Sequence, residues 1–324
     1  MTKSRVPFIP GGVPAETGMS RQGAADVVAI FGPTASGKTA VAEGVADAIG
    51  GEVVSCDSMQ VYRGLSILTN QPERPTRLVG VWPLDHEGSV AEFAELAHAA
   101  VDELLSCGRT PVLAGGTGLY LRAAIGELGL PPKVDPVVRE RAQRLYERVG
   151  PERAHALLAV RDPGAAATVH PNDRRRVMRA LELLEVGASL RPAEAQLWSE
   201  HARHPTVVFG LDVPRETLAE RIRARTEAML EAGVVEEVRQ AVAGPISSTA
   251  SRALGLRELA ELSEAEALEK LVLRTQRYAA YQRKWMRRIP GLVSVAADRP
   301  ADEVADELLE VARARQHLPA GGTR

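Results

Sequence analysis

The chain has 324 residues, enough for one large domain with an insertion or for two domains. Its 45% hydrophobic and 25% charged residues are those of an ordinary globular protein, and no apolar run approaches the roughly 20 residues of a membrane helix. A net charge of −2 argues against non-specific nucleic-acid binding but leaves RNA open, because local basic stripes are present. Cys56 and Cys107 are too few for a disulfide framework or a zinc cluster and are expected to be buried reduced thiols. No apolar stretch follows Lys3 and Arg5, so no secretory signal is predicted and the cytoplasm is the expected location.

Residues 1–25, rich in Pro, Gly and small polar side chains, are expected to form a disordered leader, with Met19 a candidate start. Val27 to Phe31 is a short, largely β-branched run of the buried-strand kind. Gly32-Pro33-Thr34-Ala35-Ser36-Gly37-Lys38-Thr39 then fits G-x-x-x-x-G-K-[ST], and helical periodicity continues to about Ile49. Glycines there let backbone N–H groups close round phosphate oxygens, the following helix adds its positive end, Lys38 supplies a cation, and the Thr39 hydroxyl is placed for Mg²⁺. A chance glycine-rich turn is the alternative; a strand before and a helix after favour a di- or triphosphate site.

Gly51 to Asp57 reads as a second strand ending on a carboxylate. If it lies beside the P-loop strand, Asp57 stands where open α/β sheets bind ligands. Residues 61–88 show no periodicity. Ser89 caps an amphipathic helix that Gly108 stops, and Pro111 to Ala114 is a third strand running into Gly115-Gly116-Thr117-Gly118. After Pro131-Pro132, residues 135–203 read as helices rich in Arg and Glu. Thr206 to Val213 returns to the sheet, and Pro214 opens one long helix to about Val242. A Ser/Thr/Gly loop at 244–255, a helix at 263–288, a strand at 292–295 and a helix at 301–314 complete the pattern. The expected fold is α/β: a P-loop NTPase-like parallel sheet covered by helices (26–130 and 206–316), with an all-helical insertion (131–205) and a short tail (317–324).

Four stretches are candidates for chemistry. Asp57 is followed by Ser58, Met59 and Gln60; the acid is either a turn cap and Mg²⁺ partner or a reactive group, with Ser58 and Gln60 able to bond a nucleobase edge. Thr117 sits in a second Gly-rich strand-to-helix turn at the same sheet edge. Arg174, Arg175, Arg176 and Arg179 form a basic run that is either a solvated helix face or a phosphate contact. Residues 274–288 interleave six cations with Tyr278, Tyr281 and Trp285; the aromatic face is expected to pack and the basic face to meet phosphate.

Taken in order, Gly32 to Thr39, Asp57-Ser-Met-Gln-Val-Tyr62, Gly115-Gly-Thr-Gly-Leu-Tyr120, Asn172-Asp173…Arg176…Arg179-Ala-Leu181 and Gly255-Leu-Arg257-Glu258 resemble bacterial tRNA dimethylallyltransferases (tRNA isopentenyltransferases) from about Val27 to Trp285. The resemblance implies transfer of a dimethylallyl group from dimethylallyl diphosphate to N6 of the adenosine at position 37 of tRNA, with Mg²⁺. It also implies residue roles. Gly32, Pro33, Thr34, Ala35, Ser36, Gly37, Lys38 and Thr39 would grip the diphosphate, with Thr39 on the metal. Asp57 would be the general base, Ser58, Met59 and Gln60 would line the flipped base, and Arg257 would neutralise the leaving diphosphate. Thr117, Arg139, Arg175, Arg176, Val177, Met178 and Arg179 would meet the anticodon stem-loop. A monomer is expected.

This sequence departs from the family pattern at Leu68-Thr69-Asn70-Gln71-Pro72, Thr76-Arg77-Leu78, Leu256 and Ala280-Tyr281-Gln282. A P-loop kinase, prenyl transfer to free AMP and an RNA-binding nucleotide switch are the rival readings; the arginine-rich insertion favours tRNA over AMP.

Overall fold

The computed structural model describes residues 25–129, 131–190 and 202–314. The expected tail, Met19 and all of the expected leader except Ala25 lie outside these residues; Ala25 itself is buried in the core. Five strands, β1 (Val27–Phe31), β2 (Glu52–Ser55), β3 (Pro111–Gly115), β4 (Thr206–Asp212) and β5 (Val293–Ala296), form one sheet in the order β2-β3-β1-β4-β5. Every pairing is parallel. The second strand therefore does not lie beside the P-loop strand, as the sequence suggested: β3 stands between them. The chain reverses its direction of travel across the sheet at β1, and such a switch point opens a crevice at the carboxyl ends of the strands.

The helices are α1 (Lys38–Ile49), α2 (Val90–Ser106), α3 (Gly118–Ile125), α4 (Pro136–Val149), α5 (Pro151–Arg161), α6 (Pro163–Ala166), α7 (Arg174–Glu185), α8 (Arg215–Glu231), α9 (Val234–Ala243), α10 (Leu256–Glu261), α11 (Glu264–Met286) and α12 (Ala301–Ala314). β1 is buried on both faces, which explains its unbroken apolar run. Val28 and Ile30 face a cluster completed by α1, α8 and α12, while Ala29 and Phe31 face one completed by α2 and α3. Ser89 caps α2 by accepting from the Glu92 N–H, and the helix ends at Cys107 ahead of Gly108 with φ +69°. Cys56 is buried, but Cys107 is exposed at this helix end, so only one of the two thiols is a core residue.

The long helix expected after Pro214 is two helices. Gly233 takes φ +88°, a left-handed conformation that ends α8 and turns α9 away. The turn lets α9, α10, the start of α11 and the segment around Leu65 and Leu68 share a cluster of their own that includes Val234, Val238, Leu259 and Leu271. Helices α4 to α7 bury a further cluster, with Tyr146, Leu158, Val177 and Leu181 among its members.

Residues 61–88 are ordered without regular elements. Parallel bridges join Val54 to Arg77 and Tyr62 to Trp82. Arg77 donates to Glu52 and Glu103, and this segment covers the outer edge of β2. The Gln71 amide donates to the carbonyls of Gln60 and Tyr62, which ties the loop back to the turn that carries Asp57.

Candidate active site

The loop from Gly32 to Lys38 leaves the C-terminal end of β1 and enters α1. Ala35 and Gly37 take φ +63° and +84°, and left-handed residues spaced this way turn successive N–H groups towards one point. A Cβ on Gly32 would stand 2.5 Å from Ser36 Oγ, so the first glycine is required by close approach. Ser36 is buried and its hydroxyl has no partner among the described residues. A buried hydroxyl left unsatisfied in this way fits a cradle whose acceptor is a phosphate oxygen. Burial pushes the Lys38 ammonium down to about 8; the charge of Asp57 opposes that shift and the cation of Arg225 adds to it. Lys38, Asp57 and Arg225 therefore form one electrostatic group, with an excess of positive charge held away from water.

Two turns bring the remaining chemistry to the same place. Asp57 Oδ1 accepts from the N–H groups of Met59 (2.8 Å) and Gln60 (3.4 Å), which fixes the carboxylate and leaves Oδ2 for a substrate. A side chain on Gly115 would collide with the Cys56 carbonyl; the closeness this permits between β3 and β2 brings Thr117 to Ser58. Thr117 Oγ1 lies 3.4 Å from Ser58 Oγ and 3.3 Å from the Tyr278 hydroxyl, in a chain of three hydroxyls. The Tyr278 hydroxyl is pushed up to about 12, first by burial and then by the charge of Asp57, so it stays a proton donor. Gln60 is not available to read a base: its amide donates to the carbonyls of Thr69 and Asn70, and its oxygen accepts from Ser55.

Helix α11 staples the two turns together. Gln282 is 2% exposed; its oxygen accepts from the Thr34 N–H and its amide donates to the Gly116 carbonyl, both at 2.8 Å. Gly116 has no room for a Cβ against that amide, nor Gly118 against the Trp285 ring. Gln282→Ala leaves both main-chain groups buried and unpaired, and urea unfolding should show a loss of about 2–4 kcal/mol at roughly 1–3 kcal/mol per orphaned group with partial relaxation. A loss below about 0.5 kcal/mol, the scale of a surface substitution, would mean that water replaces the staple.

These groups line a cavity of about 260 Å³ that includes Thr34, Asp57, Ser58, Arg225, Arg252, Thr275 and Tyr278, with Met59, Leu68, Met229, Leu254 and Leu271 on its apolar part. Arg225 was not visible as a site residue in the sequence. It sits among Arg221 and Arg223, yet it falls on the helical stripe of Leu218, Ile222 and Met229, which the periodicity of α8 could have revealed. Its Nε is buried without a hydrogen-bond partner among the described residues.

Arg257 lies elsewhere. It is 79% exposed and pairs with Glu261 one turn along α10, whereas Arg252, in the preceding 3₁₀ turn, lines the cavity. The expected RNA-facing residues also separate. Arg175 is held half-buried near Arg252 and Tyr120, and burial, then the Arg252 cation, lowers its pKa. Arg176 is exposed, and Arg179 donates to Glu182 and to the Pro132 carbonyl. Val177 is fully buried inside the helical cluster and Met178 packs on it, so Val177 cannot offer its side chain to RNA. Arg139 faces Glu87 at 3.9 Å, and Glu87 accepts from Ser248. No group of three or more His, Cys, Asp or Glu side chains able to hold a metal occurs among the described residues. Among those residues no helix is long and apolar enough to cross a membrane.

Residues 60–289 match the family model described as IPP transferase, and residues 25–78 match the one described as isopentenyl transferase. The chain is 42% identical over 282 residues to the tRNA dimethylallyltransferase of Salinispora arenicola, covering 83% of this chain and 82% of that relative. It is 42% identical over 277 residues to the tRNA dimethylallyltransferase of Streptomyces coelicolor, covering 82% and 88%. The solved tRNA isopentenylpyrophosphate transferase of Bacillus halodurans aligns with a TM-score of 0.63 at 31% identity, over 90% of this chain and 96% of that one. A eukaryotic dimethylallyltransferase solved acting on tRNA shares the fold, with a TM-score of 0.74 at 24% identity over 92% of this chain and 81% of that one.

Proposed function

The chain belongs to the IPP transferase family, and from that premise we propose how its own residues transfer a dimethylallyl group to tRNA. The donor is dimethylallyl diphosphate, and the acceptor is N6 of the adenosine at position 37, in the anticodon stem-loop. One observation carries this reading: a fixed carboxylate, a phosphate cradle with two buried cations, and an apolar wall all meet round one cavity.

The diphosphate rests on the N–H groups of residues 33–38, with the Ser36 hydroxyl donating to it and Lys38 and Arg225 balancing its charge. The allylic C–O bond breaks with its electron pair leaving on the diphosphate, so the cations bind the transition state more tightly than the ground state. N6 bonds to the allylic carbon as its proton passes to Asp57 Oδ2. Ser58, Thr117 and Tyr278 supply a hydroxyl chain against which the extruded purine is oriented, since a stacked base cannot reach such a pocket. The donor set fits Mg²⁺ bound chiefly through substrate: Thr39, at the start of α1, would hold it with diphosphate oxygens and water, and it would neutralise charge on the leaving group. Arg175 and Arg252 flank the way in and would meet the RNA backbone. One chain carries every group named, so a monomer suffices, and a tRNA substrate places the reaction in the cytoplasm.

The test incubates the full chain with dimethylallyl diphosphate, Mg²⁺ and tRNA, then digests the RNA for mass spectrometry. Dimethyladenosine-type methylation would not fit; the expected product is N6-dimethylallyladenosine at position 37. Prenylation of free AMP with tRNA untouched, or prenylation of another nucleotide, would overturn the assignment. Lys38 gives a second handle. It is charged below its lowered pKa and loses its proton as pH rises through about 8, so the affinity of the free protein for inorganic pyrophosphate should fall across that range. Lys38→Arg, charged throughout, should lose this dependence; calorimetric titration that gives both proteins the same pH profile would remove Lys38 from the diphosphate.

A further inference from the structure

The cavity has two ends of different chemistry, and helices α8 and α11 define both. Arg223 on α8 is held by both carboxylate oxygens of Glu269 on α11, while Arg215 and Arg283 lie at opposite ends of the same two helices and line a common groove. The two helices therefore run antiparallel. Arg225 stands level with Thr275, and one turn further along, Met229 stands level with Leu271. From Tyr278, which touches Thr117, the α11 wall passes through Thr275 to Leu271, about 10 Å at 1.5 Å per residue. Along that line the wall changes from polar to aliphatic.

The aliphatic end is closed. A Cβ placed on Gly255 would lie 2.8 Å from Leu271 Cδ1 and 3.1 Å from Leu68 Cδ1, so these two side chains converge on one point above that glycine. Both are nearly fully buried, at 5% and 6% exposure. Leu68 is also pinned from behind. Glu237 of α9 accepts from the N–H groups of Ile67 and Leu68 and from the Ser66 hydroxyl, all within 2.9 Å. A wall residue whose main chain is held by a carboxylate cannot retreat to admit a longer ligand.

We propose that Leu68 and Leu271, meeting above Gly255 and clamped by Glu237, form the end wall that limits the allylic donor to a single five-carbon unit. The inference rests on the prenyl-transfer reading above and names a specificity determinant within it. An allylic chain one isoprene unit longer would have to occupy the space these two side chains fill. Shortening either to alanine opens that space without touching the diphosphate cradle, Asp57 or the hydroxyl chain.

The experiment compares dimethylallyl and geranyl diphosphate as donors to tRNA for the wild type, Leu68→Ala and Leu271→Ala. Both variants should raise the geranyl-to-dimethylallyl ratio of kcat/KM by at least about tenfold, the scale on which apolar pockets discriminate added carbons. Val238→Ala supplies the control: it opens the same apolar cluster without lining the cavity, so it should lower the melting temperature and leave the ratio unchanged. Should Leu271→Ala fail to fold, Leu271→Val tests the same position with a smaller shift expected. Folded wall variants that still use dimethylallyl diphosphate but show an unchanged ratio overturn the proposal, as does a wild type that already accepts both donors equally. A wild type that transfers neither group to tRNA would instead overturn the functional reading on which it rests.

Discussion

Asp57→Ala should reduce prenyl transfer by about 10²–10⁴-fold, the range typical of a positioned general base, while tRNA affinity changes little. The adenine amine is a weak nucleophile because its lone pair is shared with the ring, so removal of its proton has to accompany C–N bonding. Asp57 is suited to that step because its orientation is set locally. One oxygen is occupied by the main chain of residues 59 and 60, and the other is left free beside Lys38 and Arg225. The measurement is single-turnover transfer to tRNA alongside filter binding of the same tRNA. Parallel losses in rate and affinity would show that the carboxylate only caps its turn; a pure rate loss supports the base. Asp57→Asn sharpens the distinction, since an amide keeps the shape of the turn but takes up no proton.

Arg225→Ala should lower kcat for transfer by about 10²–10³-fold, as removal of one preorganised group from a developing anion does elsewhere. The same change at Arg257 should leave kcat within about twofold, because an exposed i,i+4 ion pair contributes little. The two variants form a direct contest. Motif resemblance points to Arg257, whereas burial, the unpartnered Nε and the electrostatic link to Asp57 point to Arg225. If Arg257→Ala proved the more damaging, α10 would have to swing towards the cradle during catalysis. Inhibition by inorganic pyrophosphate gives an independent readout, since loss of a leaving-group contact weakens the product as well as the transition state.

The glycines of the second turn show how a local pattern acquires its meaning. Gly115-Gly116-Thr117-Gly118 is a weak signature as text, because strand-to-helix turns are glycine-rich for many reasons. In the fold each glycine has a separate neighbour: the Cys56 carbonyl for Gly115, the Gln282 amide for Gly116 and the Trp285 ring for Gly118. Two of those neighbours come from α11, more than 160 residues later in the chain, so no window of sequence contains the reason. Gln282 shows the same thing from the other side. In the sequence it is one polar residue in a basic, aromatic stretch; in the fold it ties Thr34 to Gly116.

What the sequence determined by itself is what depends on neighbours a few residues apart. The alternation and runs that make strands, the cap at Ser89, the left-handed positions of the phosphate loop and the turn that carries Asp57 all follow from short-range sterics and main-chain hydrogen bonding. Tertiary structure alone decided which arginines face the cavity, that β3 separates β2 from β1, and that Leu68 and Leu271 close its far end. The break at Gly233 stands between the two: the glycine is written in the chain, but a glycine inside a helical pattern is tolerated unless packing on both sides demands the turn. Side chains of one type are equivalent as letters and become different only through burial and electrostatic partners, which are set by contacts between segments far apart in the chain.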